Sequence, residues 1–211
     1  MTKDKELLYL YNEIFVAGNE YAGPEMKNSL DFSDFNTKVI ISAPHSTRST
    51  LNNKLKVTDM YTGAITKFIG EKNKLSHLVR TKHITKEENI WDYVLEKKIA
   101  GKFFLDFHGT RMDNDFNLAV GTGYFGEDMY EDELNYIKAL AGKMDIKLAV
   151  NHPNYEGKVG LTGHLQKAES NNKALQFEWR PDYRNIYENI DNVLNKTIPF
   201  MESIVEFLNY K

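Results

Sequence analysis

Short apolar runs that alternate with longer helical patterns are the feature that most constrains the fold of this chain. Each run is rich in β-branched or aromatic residues and stops at a turn former, as buried strands do. The runs predict six strands, over Lys38–Ala43, His77–Arg80, Lys102–Phe107, Phe116–Gly121, Lys147–Val150 and Ala174–Trp179. Spacings of three and four residues predict four helices, over Asp59–Ile69, Glu87–Lys97, Asp128–Lys143 and Tyr187–Tyr210. This alternation indicates an α/β fold, with a mixed, largely parallel sheet and helices on both faces.

Composition narrows the class of protein further. No repeat, low-complexity tract or linker-like segment divides the 211 residues, so residues 1–211 are predicted to form a single domain. The formal net charge of -3 provides no basic field for nucleic acid or an anionic membrane. The chain has no cysteine, which excludes disulfides, thiolate nucleophiles and cysteine-ligated metals. No leader-like apolar segment and no membrane-length apolar run is present, so we expect a soluble, cytoplasmic protein. Composition does not indicate its oligomeric state.

Unusual polar residues stand at the ends of three predicted strands. His45 follows the first strand, Asp106 and His108 share one face of another, and Glu178 interrupts the apolar run Leu175–Trp179. Ligands of largely parallel sheets bind at the carboxyl ends of the strands. Two imidazoles and a carboxylate meeting there are typical of metal-dependent hydrolases. These residues therefore predict a site for Zn²⁺ or another divalent metal.

Each of these residues also has a purely structural explanation. A histidine near a strand end is commonly a hydrogen-bonded structural residue, and Glu178 could pair with Arg111, Arg180 or Arg184. Asp59 is the best candidate for a third ligand because it follows the His45 loop, although an acid is also favoured there by the helix dipole. The remaining histidines considered, interpreted as surface or structural residues, are His77, His83 and His152.

Six short motifs carry a resemblance to a known family. In chain order they are Ser42–Ser46, Val57–Tyr61, Asp106–Arg111, Asp115–Leu118 followed by Gly121 and Thr122, Gly160–His164, and Leu175–Glu178. Over roughly residues 38–184, this order resembles the N-formylglutamate amidohydrolase (deformylase) family, which is related in fold to zinc carboxypeptidases and aminoacylases. The resemblance implies a hydrolase-like fold of the zinc-carboxypeptidase type.

The resemblance also implies roles for particular residues. His45, Asp59 and His108 would bind the divalent metal, and Glu178 would act as the general base. Arg111, Asn117 and His164 would contact the substrate or polarise its carbonyl. Carboxypeptidase-like relatives have a glutamate three residues after the first histidine, where this chain has Arg48, which favours a ligand from elsewhere such as Asp59.

The predicted function is metal-dependent hydrolysis of an amide bond in an N-acyl, formyl-like amino acid that bears a carboxylate, or in a short peptide. Arg48 and Arg111 could each clamp that carboxylate with two hydrogen bonds. Both could equally be solvated, or paired with Asp106, Asp113 or Asp115. The formylglutamate enzymes carry an Arg-Tyr run leading to Asp-Leu-Asn-Arg before the second histidine motif, and residues 76–101 lack it. Two alternatives therefore stay open: a zinc peptidase acting on γ-glutamyl or cell-wall peptides, and a non-catalytic binding protein that keeps the fold.

Overall fold

A seven-stranded sheet forms the centre of the computed structural model, which describes residues 2–16, 30–51, 54–82, 90–97, 99–167 and 171–211. The strands of this sheet are β1 Leu30–Ser33, β2 Val39–Ala43, β5 Ser76–Arg80, β6 Phe103–Gly109, β7 Leu118–Gly121, β8 Leu148–Val150 and β9 Lys173–Trp179. A separate hairpin pairs β3 Ser49–Leu51 with β4 Lys54–Lys56. The order in the sheet is β1-β5-β2-β6-β9-β7-β8.

The sheet is mixed and largely parallel, as the sequence predicted. Strands β5, β2, β6 and β9 are parallel neighbours at its centre, and β7 and β8 are parallel to each other. The edge strand β1 runs antiparallel to β5, and β7 runs antiparallel to β9. The carboxyl ends of β2, β6 and β9 therefore meet at one edge, where ligands bind in sheets of this kind.

Helices cover both faces of the sheet. Their bounds are α1 Lys3–Val16, α2 Thr62–Asn73, α3 Ile90–Glu96, α4 Glu131–Lys143, α5 Leu161–Lys167, α6 Ile190–Asn192 and α7 Ile198–Tyr210. Buried residues of α1, α2, α4 and α7 pack with Val39, Leu105 and Leu175 on one face. Helices α3 and α5 pack with Ile40 and Phe104 on the other. Along a strand the side chains alternate between these two apolar layers.

The six predicted strands are confirmed within two residues, while the helix bounds differ more. Asp59 lies outside α2, because its carbonyl oxygen accepts hydrogen bonds from the Thr62 N–H and hydroxyl groups, and Tyr61 takes a left-handed φ of 71°. The helix predicted from Asp128 begins as a 3₁₀ turn, and the C-terminal one begins at Ile190 and contains a π-helical turn over Val193–Thr197. Residues 87–89 of the predicted third helix, and His83, lie outside the described residues.

Four elements were not predicted from the sequence: α1, β1, the β3–β4 hairpin and α5. The strand β1 is a short edge strand with only Leu30 buried, so its sequence carries no alternation to detect. Among the described residues, no helix combines the length and apolar character that crossing a membrane requires.

Candidate active site

The predicted metal ligands lie together at the carboxyl edge of β2 and β6. His45 follows β2, and its carbonyl oxygen accepts a hydrogen bond of 2.8 Å from the backbone N–H of Asp59. The rings of His45 and His108 have centroids 5.0 Å apart. Nδ1 of His108 lies 3.1 Å from Oδ2 of Asp59. The fold thus brings together three residues that span positions 45 to 108 of the chain.

Hydrogen bonds to neighbouring strand ends hold the His45 loop in place. The Ser46 hydroxyl contacts the carbonyl oxygens of Ala43 and Arg80 at 2.9 and 2.7 Å. Nε of Arg80 donates to the carbonyl oxygen of Pro44 at 2.9 Å. The loop that carries the first histidine is therefore anchored to the end of β5.

Arg184 anchors the Asp59 loop in a similar way. Its guanidinium donates to the carbonyl oxygens of Met60, Thr110 and Trp179 at 2.6, 3.3 and 3.2 Å. A Cβ at Gly109 would lie 2.5 Å from Arg184 Nε, so a glycine is needed where this side chain crosses the end of β6. The Arg184 side chain thereby links the Asp59 loop to the chain segments that follow β6 and end β9.

Asp106 and His108 point to the same side of β6, whereas Leu105 and Phe107 enter the apolar core on the other side. Nε2 of His108 lies 3.1 Å from Oδ2 of Asp106. Nε2 forms no well-aligned hydrogen bond among the described residues, so this contact is a close ion pair. Burial alone would lower the pKa of His108, but the Asp106 and Asp59 carboxylates outweigh it and hold that pKa well above its usual range.

Glu178 lies on β9 directly beside His108, its register partner on β6. It is 6% exposed, and Nε2 of Gln176 donates a 2.6 Å hydrogen bond to its Oε1. Burial raises the pKa of Glu178 to about 7; the nearby His108 opposes this rise, and the Asp59 and Asp106 carboxylates add to it. If Glu178 had only a structural role, it was expected to pair with Arg111, Arg180 or Arg184. Arg180 instead forms a bidentate pair with Asp182, at 2.7 and 2.6 Å.

An open cleft of about 590 Å³ adjoins this cluster. Its lining includes Asp59, Arg111, Asn114, Asn154 and Tyr155. The Arg111 side chain is exposed, and its guanidinium forms no ion pair with any residue that the structure describes. The side-chain amide of Asn114 donates to the Tyr155 hydroxyl at 3.3 Å, which links the two walls of the cleft.

The other predicted substrate residues lie in different settings. The side-chain oxygen of Asn117 accepts a 2.7 Å hydrogen bond from the Lys147 N–H and so helps to join β7 to β8. His164 is exposed on α5, and Arg48 is half-buried three residues beyond His45. Their roles toward a substrate stay predictions. His77 is fully buried on β5 and His152 is half-buried against Phe116, as expected of structural histidines.

The fit of a metal can be tested on the donor atoms themselves. Among the described residues, no three histidine or acidic side chains surround a common point as the ligands of an ion do. Two ligand atoms on a tetrahedral zinc lie about 3.4 Å apart. The 3.1 Å between His108 Nδ1 and Asp59 Oδ2 is close to that separation. This distance is equally that of the hydrogen bond between the two groups, so it does not by itself mark a metal site. Two imidazoles and a carboxylate are donors that suit zinc, but in the described residues they are not arranged around a common point.

Several solved structures share the architecture of this chain. A bacteriophage poly-γ-glutamate hydrolase matches with a TM-score of 0.53 and 12% identity, over 89% of this chain and 94% of that one. The N-formylglutamate amidohydrolase of Ralstonia eutropha matches with a TM-score of 0.54 and 11% identity, over 85% and 98%. The chain has the fold of these two hydrolases. The expected fold is thereby confirmed.

A further match is a zinc-free structure of the protein YndL, with a TM-score of 0.51 and 12% identity, over 85% of this chain and 89% of that one. No family model and no curated protein sequence matches the chain. At these identities the likeness concerns the fold, so any chemistry must be argued from the site itself.

Four residues around the site were not assigned a role from the sequence: Ser42, Asp106, Thr162 and Gln176. Gln176 was detectable in principle, because it precedes Glu178 by two positions and so shares its face of an apolar strand. The contact of Thr162 with Asp106 joins residues 56 positions apart, and no local pattern indicates it.

Proposed function

We propose that this protein is a metal-dependent hydrolase of amide bonds, in which His45, Asp59 and His108 hold the metal and Glu178 is the general base. One observation carries the proposal: a buried carboxylate with a pKa of about 7 stands directly beside His108 at the carboxyl edge of the sheet. A divalent metal bound there would polarise a carbonyl and acidify its water.

Glu178 suits the transfer of a proton at neutral pH. A general base works best when its pKa lies near the working pH, and burial raises that of Glu178 to about 7 in the metal-free protein. The hydrogen bond from Gln176 engages Oε1 and holds the carboxyl group in one orientation. Glu178 would accept a proton from the attacking water and deliver it to the departing amine.

Arg111 supports a substrate that carries a carboxylate. Its guanidinium is exposed in the same cleft as Asp59, and a planar guanidinium binds a carboxylate with two parallel hydrogen bonds. Two of the nearby acids are engaged elsewhere: Asp115 pairs with Lys147 at 3.4 Å, and Asp106 accepts bonds from two buried hydroxyl groups. Asp113 lines the same cleft and forms no ion pair with Arg111. An N-acyl amino acid with a free carboxylate is therefore the proposed substrate class.

The size of the cleft favours a second candidate within the same chemistry. About 590 Å³ of open space extends from Asp59 to Asn154 and Tyr155, within the range of clefts that hold ligands larger than a single amino acid. A γ-glutamyl or cell-wall peptide would occupy that length, with the bond to be cut beside Asp59. The name of one matching structure, a poly-γ-glutamate hydrolase, agrees with this candidate.

A substrate panel with controlled metal content tests both candidates. Purified protein would be stripped with a chelator, reloaded with zinc, and assayed with N-formyl and N-acetyl amino acids and with γ-glutamyl peptides. We expect hydrolysis by the reloaded protein only, with the preferred series identifying the substrate class. Hydrolysis that persists in the stripped protein would refute metal dependence. Zinc binding without turnover of either series would favour the binding-protein alternative.

A further inference from the structure

Asp106 is the most deeply buried charged residue of the site, with 0% of its surface exposed. The hydroxyl of Ser42 donates to its Oδ1 at 3.0 Å, and the hydroxyl of Thr162 donates to its Oδ2 at 3.0 Å. Ser42 belongs to β2, the neighbour of β6 in the sheet, and Thr162 belongs to α5, which packs on one face of the sheet. A buried carboxylate is costly without partners, and here each oxygen accepts a hydrogen bond. The carboxylate is therefore held in one orientation.

His108 contacts this carboxylate with the side of its ring that faces away from Asp59. Nε2 is 3.1 Å from Oδ2 of Asp106, and Nδ1 is 3.1 Å from Oδ2 of Asp59. The ring thus lies between two carboxylates that differ in their exposure to solvent. Asp106 is fully enclosed, whereas the Asp59 side chain retains 17% exposure and lines the open cleft.

We propose that Asp106, held by Ser42 and Thr162, is a positioning residue that fixes the His108 ring so that Nδ1 faces Asp59 and the metal. The inference rests on the proposed function for the identity of the ligands. A carboxylate behind a histidine ligand orients the ring and increases its basicity toward the ion. Thr162 extends this support to α5, a helix with no part in the metal site itself.

Zinc affinity in matched variants tests the proposal. Asp106→Asn keeps the shape of the side chain and removes its charge, and Thr162→Val removes one hydroxyl. Thr66→Val is the control, because Thr66 is a buried threonine of α2 whose hydroxyl has no hydrogen-bond partner among the described residues. In competition with a chromophoric chelator, Asp106→Asn should bind zinc about 10- to 100-fold more weakly than wild type. Thr162→Val should show a smaller loss in the same direction, and Thr66→Val none.

A second measurement needs no metal and separates this inference from the proposed function. The imidazole ¹⁵N resonances of His108, assigned with His108→Gln, would be recorded for the metal-free proteins. They should shift in Thr162→Val and stay unchanged in Thr66→Val. If wild type binds no zinc, the metal proposal fails, and these resonances alone decide whether Asp106 positions the ring. If Asp106→Asn does not fold, Thr162→Val decides.

Folded variants at Asp106 or Thr162 that keep both the wild-type zinc affinity and the wild-type resonances would overturn the inference. A loss of thermal stability with both readouts unchanged would have the same meaning, because it would show that Asp106 only supports the fold.

Discussion

Replacing Glu178 by glutamine separates an active-site carboxylate from a structural one. Glutamine keeps the size of the side chain and can still accept the hydrogen bond that Gln176 donates to Oε1. It cannot accept and return a proton. Because general acid–base catalysis contributes about 10²- to 10⁴-fold, turnover by Glu178→Gln should fall by that factor with little change in metal content.

The same substitution should change stability in the opposite direction, and the structure gives its size. The unfolded carboxyl group releases its proton near its ordinary value of 4.5, whereas the folded one keeps it until about pH 7. Between these values the folded state binds more protons than the unfolded state, so wild-type stability falls as pH rises. The difference corresponds to roughly 3 kcal/mol above pH 7. Glu178→Gln has no carboxyl group to ionise, so its free energy of unfolding at pH 8 should exceed that of wild type.

Both effects can be measured on the same preparations. Urea unfolding of metal-free protein at pH 4.5 and pH 8 gives the free energy of unfolding, and turnover of the best substrate gives the rate. We expect the stability advantage of Glu178→Gln to grow between the two pH values while its rate stays low. A variant that is less stable at pH 8, with wild-type turnover per folded molecule, would refute the reasoning and favour a structural Glu178.

Three further predictions address other groups. His45→Ala and His108→Ala should each lose bound metal in elemental analysis, and unchanged occupancy in both would remove the metal site. Arg111→Ala should raise KM about 10- to 100-fold with kcat little changed, because one charge-assisted pair is lost; an unchanged KM would exclude the carboxylate clamp. Burial lowers the pKa of His77 in the folded protein. Below about pH 6.5 the unfolded chain therefore binds a proton that the folded chain does not, and the free energy of unfolding should fall as the pH drops. His77→Gln should lose that pH dependence in urea titrations, and an unaltered dependence would show that other groups cause it.

The sequence by itself determined the central strands and the candidate active-site residues at their carboxyl ends. Apolar alternation is a local property, so the pattern over residues 102–107 predicted β6 and put Asp106 and His108 on one face. The rule that parallel strands present their carboxyl ends together then predicted that His45, His108 and Glu178 share an edge. Their observed positions at the ends of β2, β6 and β9 agree with that expectation.

Tertiary structure alone decided the contacts between distant segments. Asp59 was predicted to begin a helix, and the hydrogen bond of its backbone N–H to His45 holds it in a loop instead, where its carboxylate reaches His108. Thr162 reaches Asp106 only because α5 packs across the face of β6. Such contacts depend on how layers pack and not on the residues next to them in the chain, so no local pattern contains them. The sequence therefore predicted which strand ends bear the candidate active-site residues. The packing of distant segments decided which other side chains hold those residues in position.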